Sequence, residues 1–299
     1  MYLYHFGFRK LPFLLTPDTD LFCSLPYYRQ AFNTLSFALS TGEAFCKITA
    51  EVGMGKTMLC RLLINKLTKK RQVAYIPNPV LSPRELKLSL AHELNMRIRS
   101  TIGEEQLIPR IQKKLIDIYK KSGPVILIID EAQAMSDESL ETLRLFANLE
   151  TETSKLIQIV LFAQPELDEK LQQKNLRQLR QRIVFSDRLT HLSYQQVVQY
   201  INHRLDGVSP QKRLIFSKIS LWLIYRASKG IPRLINIICH KALMLAYGQK
   251  RDKVNILNVV HAINDTPDTR GFTKRIKQSF VASLLAIAAG SAYAYWLMP

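Results

Sequence analysis

The segment Ala50-Glu51-Val52-Gly53-Met54-Gly55-Lys56-Thr57 is the most informative part of this chain. It follows an apolar run at 44–49 that predicts a strand, and it opens an amphipathic segment at 57–67 that predicts a helix. The glycines let backbone N–H groups approach an anion closely, the lysine supplies positive charge, and the threonine hydroxyl suits Mg²⁺. Because a loop of this kind at a helix start binds phosphate, we expect 51–57 to bind ATP, with Thr57 as a metal ligand.

The first glycine that is usual in such a loop is replaced by Ala50. Since alanine adopts positive φ poorly, we expect mild backbone strain at this residue and a loop that still works. A chance Gly-Lys-Thr tripeptide is the alternative, and the predicted strand, loop and helix around it argue against that.

A second motif follows the run Val125–Ile129, which is apolar at every position and is therefore expected at the sheet centre, buried on both faces. Asp130 and Glu131 come directly after it. In a doubly wound sheet the carboxyl end of such a strand lies beside the phosphate loop. Asp130 is placed to hold Mg²⁺, directly or through water, and Glu131 to polarise the attacking water. Two solvated acids in a turn are the alternative.

Other polar residues could complete an ATP site. Gln164 follows the next apolar run and could touch the γ-phosphate or the attacking water, although a Gln before a Pro is as often a turn residue. Arg177, Arg180 and Arg182 cluster before the last predicted strand. A guanidinium there can neutralise phosphoryl charge, often on a neighbouring subunit, and a solvated basic helix face is the alternative.

Arg233 stands in the first turn of a predicted helix that Gly230 and Pro232 introduce. A cation at this position is unfavourable for the helix dipole. We therefore favour a contact with a ligand, and interpret Arg233 as a phosphate-sensing residue.

Apolar runs alternate with amphipathic segments, which predicts an α/β fold with a parallel sheet covered by helices. The expected strands are 44–49, 72–77, 125–130, 156–162 and 182–186. From Ser193, which forms a predicted capping box with Gln196, only helical patterns follow. We expect a nucleotide-site segment at 1–27, an α/β domain at 28–192, a helical domain at 193–265, a basic linker at 266–279 and a membrane segment at 280–298.

The net charge of the chain and its apolar stretch 280–298 indicate which kinds of partner to expect. The formal net charge of +18 points to nucleic acid, an anionic leaflet or an acidic partner, unless it is only a solvated surface. The stretch 280–298 is uncharged and just reaches the length of about 20 residues that a membrane helix needs. The basic residues on its near side agree with the positive-inside rule: Arg270, Lys274, Arg275 and Lys277. A buried C-terminal helix is the alternative.

No basic start followed by an apolar run opens the chain, so we expect no secretory signal peptide and a cytoplasmic location for its bulk. The cysteines are far apart in sequence and form no Cys-x-x-Cys pair; they are Cys23, Cys46, Cys60 and Cys239. This spacing predicts small buried apolar residues of a reducing compartment, with no disulfide framework or zinc site.

In their order along the chain, these motifs resemble the ExeA or general secretion pathway protein A group of AAA+ ATPases, over residues 4 to 265. The segments that carry the resemblance are Phe6-Gly7-Phe8, 50–57, Asp130-Glu131-Ala132-Gln133, Gln164-Pro165-Glu166-Leu167, Leu179-Arg180-Gln181-Arg182-Ile183 and Gly230-Ile231-Pro232-Arg233. The resemblance implies an AAA+ fold with a helical lid at 193–265 and an ATPase at the bacterial inner membrane. Its partners would be other copies of itself and the proteins that assemble a type IV pilus or secretion machine.

By the same resemblance, the site residues take the family's roles. Lys56, Thr57, Asp130 and Glu131 would be the Walker residues, with ATP and Mg²⁺ as ligands. Gln164 would be sensor 1, either Arg180 or Arg182 the arginine finger, and Arg233 sensor 2. Some relatives continue into a peptidoglycan-binding region beyond the apolar segment, and no such region is expected here, so a direct cell-wall role is not expected.

Two other functions stay open. A DNA-bound AAA+ ATPase of the transposition target-selector type would suit the charge of +18, whereas it has no need of an apolar segment like 280–298. Nucleic acid is therefore not expected as a partner, though it stays open. A nucleotide-binding scaffold without turnover would require that Glu131 is not a working base.

Overall fold

Five strands form one parallel sheet: β1 (Phe45–Thr49), β2 (Val73–Ile76), β3 (Val125–Ile129), β4 (Ile157–Ala163) and β5 (Ile183–Arg188). Their order across the sheet is β2-β3-β4-β1-β5, and every neighbouring pair is parallel. The carboxyl ends of all five strands therefore lie along the same edge. The predicted α/β fold with a parallel sheet is confirmed.

The computed structural model describes residues 2–98, 102–152, 154–209, 215–269 and 271. Its α-helices, in chain order, are α1 (Tyr2–Phe6), α2 (Pro26–Ser40), α3 (Lys56–Leu67), α4 (Pro83–Glu93), α5 (Glu104–Ser122), α6 (Asp137–Ala147), α7 (Glu166–Lys170), α8 (Arg177–Arg182), α9 (Tyr194–Asp206), α10 (Lys218–Ser228), α11 (Pro232–Gly248) and α12 (Ile256–Asn264). The described chain divides into two compact units. One is Pro17–Thr190, which contains the sheet, and the other joins the described residues up to Thr16 to those from His191 onward.

Local sequence signals set the starts of several helices. The hydroxyl of Ser82 accepts a hydrogen bond from the backbone N of Glu85, whose carboxylate accepts one from the backbone N of Ser82. Ser193 and Gln196 form the same reciprocal pair at the start of α9. The predicted capping box of Ser193 is therefore confirmed, and both pairs satisfy backbone donors that a helix start leaves without partners.

The sheet unit has its core between the strands and the helices that follow them. Every residue of β3 and β4 is buried. The helices contribute a set of fully buried apolar side chains: Leu86, Leu90, Ile111, Leu115, Leu140, Leu143 and Phe146. All four cysteines of the chain are buried free thiols, as predicted.

The prediction that 125–129 occupies the sheet centre is wrong. β3 is an interior strand next to the edge strand β2, and the middle strand is β4. Any interior strand of a parallel sheet is buried on both faces, so an all-apolar sequence distinguishes interior strands from edge strands and does not rank the interior ones.

The second unit is helical, and its N-terminal segment is bound to it by buried polar contacts. The guanidinium of Arg204 donates to the carbonyl oxygen of Pro12 (2.9 Å), and the side-chain amide of Asn236 donates to the carbonyl oxygen of Leu14 (3.4 Å). The hydroxyl of Tyr200 donates to the amide oxygen of Asn236 (3.0 Å) and so helps to orient that side chain. Within the residues described after 193, the β-structure is limited to the single bridge between Phe216 and Val254.

Across the described ranges, no helix combines the length and the apolar character needed to cross a membrane. The predicted membrane segment 280–298 lies outside the described residues. So do the basic residues that precede it, including Lys274, Arg275 and Lys277.

Candidate active site

The loop between β1 and α3 turns through two glycines in the left-handed region, Gly53 (φ 81°) and Gly55 (φ 87°). Ala50 does not have positive φ. Its backbone N donates to the carbonyl oxygen of Ala163 on β4, so the chain is still extended here. The expectation of strain at Ala50 is therefore wrong, because the positions that require left-handed backbone fall at 53 and 55, where glycines stand.

Tyr28, from α2, packs against this loop. Its buried hydroxyl donates to the carbonyl oxygen of Met54 (2.7 Å). A Cβ atom on residue 55 would lie 2.1 Å from the same hydroxyl oxygen. Gly55 is therefore required by the close approach of Tyr28 as well as by its own φ. Tyr28 was not singled out from the sequence, since nothing local links it to the loop.

Lys56 begins α3 and is almost fully buried, with 5% of its surface exposed. Its Nζ donates to the carbonyl oxygen of Ala50 (3.1 Å) and lies 4.0 Å from Oε1 of Glu131. Burial lowers the pKa of Lys56, and the charges of Glu131, Asp130 and Glu166 oppose that shift. A buried cation thus lies beside the acidic end of β3.

Thr57 and Asp130 present oxygen atoms to each other. The hydroxyl of Thr57 donates to Oδ2 of Asp130 (3.0 Å), and the backbone N of Glu131 donates to Oδ1 (3.0 Å). Burial raises the pKa of Asp130, and these two hydrogen bonds oppose the shift. Adjacent hydroxyl and carboxylate oxygens are the ligands that Mg²⁺ prefers, so the residues fit a magnesium ion.

Glu131 has left-handed backbone (φ 54°, ψ 38°), which is uncommon for a residue with a side chain and recurs at functional sites. Its Oε2 accepts hydrogen bonds from Nε2 of Gln133 (2.6 Å) and Nε2 of Gln164 (3.0 Å). The structure therefore brings Gln164, at the end of β4, to the carboxylate of Glu131 and through it to Lys56. Gln133 was not singled out from the sequence.

The arginine cluster lies on α8. Arg177 and Arg180 are exposed, and Arg180 donates to the side-chain oxygen of Gln172 (2.6 Å). Arg182 is only partly exposed. The hydrogen bond and the charge of Lys155 lower the pKa of Glu150, and the positive charge of Arg182 adds to this lowering. These contacts do not join Arg180 or Arg182 to the group formed by Lys56 and its neighbours.

Two further arginines were considered as contacts for phosphate, Arg233 and Arg188. Arg233 lies in the first turn of α11, in the helical unit, and is exposed. Arg188, which was not singled out from the sequence, ends β5 and places its Nη2 3.9 Å from Oε1 of Glu51 in the loop. Its position at the carboxyl end of a strand was the available signal.

Comparison with known proteins gives both a domain and a relative. The family model described as "AAA domain" matches residues 39–171. General secretion pathway protein A of Aeromonas hydrophila is 37% identical over 254 residues, which cover 85% of this chain and 46% of that protein. The chain thus spans about half the length of this relative.

Solved structures share the fold at low sequence identity. The Cdc6 protein of Pyrobaculum aerophilum superposes with a TM-score of 0.65 at 16% identity, covering 83% of this chain and 70% of that one. The Aeropyrum pernix ORC1 protein in complex with DNA gives 0.63 at 16% identity, covering 85% and 69%. At such identities the likeness concerns the fold alone.

Proposed function

We propose that this chain, an ATP-hydrolysing enzyme with an AAA domain and a homologue of general secretion pathway protein A, hydrolyses ATP where β1, β3 and β4 end. The observation that carries the proposal is the meeting of Lys56, Asp130 and Glu131 there. A buried cation, a buried carboxylate and a half-exposed carboxylate within one group suit phosphoryl transfer to water.

Each residue has a part in the proposed reaction. The amides of 51–57 and the ammonium of Lys56 bind the β- and γ-phosphates. Glu131 accepts the proton of the attacking water, and Gln164, hydrogen-bonded to Glu131, orients that water at the γ-phosphate. Thr57 and Asp130 would hold Mg²⁺, which when bound neutralises charge on the phosphates.

We also propose that the enzyme works as a homo-oligomer. Arg180 is exposed on a short helix, as a residue that reaches a neighbour's γ-phosphate must be. Arg182 is less exposed and lies near Glu150, so Arg180 is the proposed arginine finger. Arg233 is proposed as a second phosphate sensor, supported by its exposure and its unfavourable place in the first turn of α11.

The proposed cellular role is to support assembly of a type IV pilus or secretion machine at the bacterial inner membrane. The homology to general secretion pathway protein A supports it. The opening Tyr2-Leu3-Tyr4-His5-Phe6-Gly7-Phe8 resembles the MSHA pilus biogenesis protein MshM, which favours an MSHA-type pilus. The apolar stretch 280–298 is proposed as a single membrane anchor with the ATPase in the cytoplasm.

Glu131→Gln tests the chemistry and the role together. The variant keeps the shape of the side chain and cannot accept a proton, so it should bind ATP and hydrolyse it ~10²–10⁴-fold more slowly. In cells that lack the native chain, it should fail to restore surface pili or secretion, whereas the exposed control Glu152→Gln should restore them. Wild-type turnover would place the base elsewhere. Slow turnover with normal pili and secretion would contradict the assembly role.

A DNA-bound function is the second candidate, favoured by the net charge of +18. Helix α5 adds a local observation, since it exposes four basic side chains, Arg110, Lys113, Lys120 and Lys121, although Glu104, Glu105 and Asp117 are exposed on it as well. Contacts with phosphates make binding to duplex DNA fall steeply with salt. Salt-dependent binding to duplex DNA by a chain that does not sediment with membranes would support this candidate over the first.

A further inference from the structure

The side chain of Gln133 bridges the ends of two strands. Its Oε1 accepts a hydrogen bond from the backbone N of Gln164, just after β4 (2.9 Å). Its Nε2 donates to Oε2 of Glu131, just after β3 (2.6 Å). Because one end of the amide meets a donor and the other an acceptor, the orientation of the amide plane is set by both contacts.

The carboxylate of Glu131, which Gln133 contacts, needs contacts that restrict its rotamers. Glu131 is 40% exposed at its side chain, and an exposed carboxylate samples several rotamers unless contacts restrict it. Here Oε2 accepts from both Gln133 and Gln164. The other oxygen, Oε1, lies 4.0 Å from Nζ of Lys56. Two amides on Oε2 leave Oε1 as the oxygen that faces the buried cation.

We propose that Gln133 is a positioning residue, which holds Glu131 and Gln164 in one hydrogen-bonded ring so that Oε1 is the oxygen that accepts the proton. This inference rests on the proposed function of Glu131 as the base. In the step itself, the water oxygen bonds to the γ-phosphorus, the bond from that phosphorus to the β–γ bridging oxygen breaks, and the water's proton passes to Oε1. ADP and phosphate are the products.

The ring also couples the movement of Gln164 to the position of Glu131. Gln133 fixes the main chain of Gln164, and the side chain of Gln164 binds Glu131. Any movement of Gln164 toward or away from the γ-phosphate is therefore transmitted to the base through Gln133 as well as directly. Loss of Gln133 should impair turnover while leaving the binding of ATP intact.

The first test is Gln133→Met, which keeps the length of the side chain and removes both its donor and its acceptor. The expected result is a fall in kcat of about 10-fold or more with KM and ATP affinity unchanged, since the contact acts on the base and not on the phosphates. Gln106→Met, at an exposed position on α5, is the matched control and should keep the wild-type kcat. An unchanged kcat in Gln133→Met would overturn the proposal.

A double variant distinguishes a positioning role of Gln133 from a general structural role. In Glu131→Gln, which lacks the base, adding Gln133→Met should lower the single-turnover rate no further, because residues that act through one group are not additive. Equal losses in both backgrounds would show a structural role and overturn the inference. Should Glu131→Gln alone keep wild-type turnover, the assignment of the base would fail first, and this outcome is distinct from a failure of Gln133.

Gln133→Glu covers the case in which the methionine variant does not fold. It keeps the length of the side chain and an acceptor for the backbone N of Gln164, and it replaces the donor to Glu131 by a second carboxylate. We expect the same loss of kcat with an unfolding midpoint close to that of the wild type. A folded Gln133→Glu enzyme with the wild-type kcat would contradict the proposal.

Discussion

The hydroxyl of Tyr28 and the carbonyl oxygen of Met54 are 2.7 Å apart, and both residues are buried. This hydrogen bond ties α2 to the loop that begins α3. Loop residues that bind phosphate must hold their amides in one arrangement, and a buried side-chain donor to the loop's own backbone helps to fix it. Tyr28 therefore supports the proposed nucleotide site although it lies outside every motif.

Tyr28→Phe should weaken ATP binding. The change leaves the carbonyl of Met54 buried without its donor, and an unsatisfied buried acceptor costs ~1–3 kcal/mol. With part of that cost falling on the loop, we expect the Kd for ATP to rise by roughly 5-fold or more, measured by calorimetry. Tyr27→Phe, on the neighbouring residue, is the control and should keep the wild-type Kd. Equal values for the two variants would contradict a role for Tyr28 in the loop.

Gly55→Ala should damage the loop more than a glycine replacement elsewhere. Gly42 and Gly55 have similar φ values, 85° and 87°, but a Cβ on residue 42 would have no neighbour within 4 Å, whereas one on residue 55 would meet the hydroxyl of Tyr28 at 2.1 Å. Both variants bear the backbone penalty of ~1–3 kcal/mol, and only Gly55→Ala should also lose ATP binding.

The same clash predicts a partial rescue. In Gly55→Ala the offending atom is the hydroxyl oxygen of Tyr28, so adding Tyr28→Phe should recover part of the lost stability, measured by thermal unfolding. If the double variant is less stable than Gly55→Ala by the full cost of Tyr28→Phe, the two residues do not interact as the structure shows.

Arg180 should act across subunits. If it reaches a neighbour's γ-phosphate, specific activity should rise with protein concentration, and Arg180→Ala should lower kcat by ~10³-fold or more. Mixing Arg180→Ala with Lys56→Ala subunits should restore some turnover, since each subunit can supply what the other lacks. Arg182→Ala should stay close to the wild type. A rate that does not depend on concentration, from a strict monomer, would refute the arrangement.

The stretch 280–298 should anchor the chain in a membrane. Full-length protein should remain in the membrane pellet after an alkaline carbonate wash, and a version ending at Lys277 should be released. The expectation follows from an uncharged length close to the ~20 residues that span a bilayer. Equal release of both forms would remove the anchor and favour the DNA-bound candidate.

The sequence predicted those parts of the fold and site that depend on neighbouring residues. The apolar runs predicted all five strands to within two residues at each end, and the capping box of Ser193 predicted the start of α9. The loop 50–57 was recognised as a candidate phosphate loop because such a loop needs its glycines, lysine and threonine close together in one short segment.

The rest depends on contacts between distant segments, which no single segment encodes. Tyr28 reaches the loop from α2, and Gln133 joins two strand ends. Neither contact has a local signal. The same reason explains why the central place of β4 was missed, since strand order is set by how the chain packs. The expectation of strain at Ala50 was wrong because motif spacing does not give φ. The left-handed positions lie at Gly53 and Gly55.

Binding of ATP to the full-length chain, compared with binding to Lys56→Ala, is the decisive measurement for the proposed nucleotide site. The buried ammonium of Lys56 lies beside the loop that is proposed to bind the phosphates, and a charge-assisted contact contributes ~1.5–3 kcal/mol or about 10- to 150-fold in affinity. Calorimetry should therefore give one ATP per wild-type chain, with the affinity retained by the exposed control Lys69→Ala and lost by Lys56→Ala. An unchanged ATP affinity in Lys56→Ala would place the nucleotide elsewhere and contradict the proposed site.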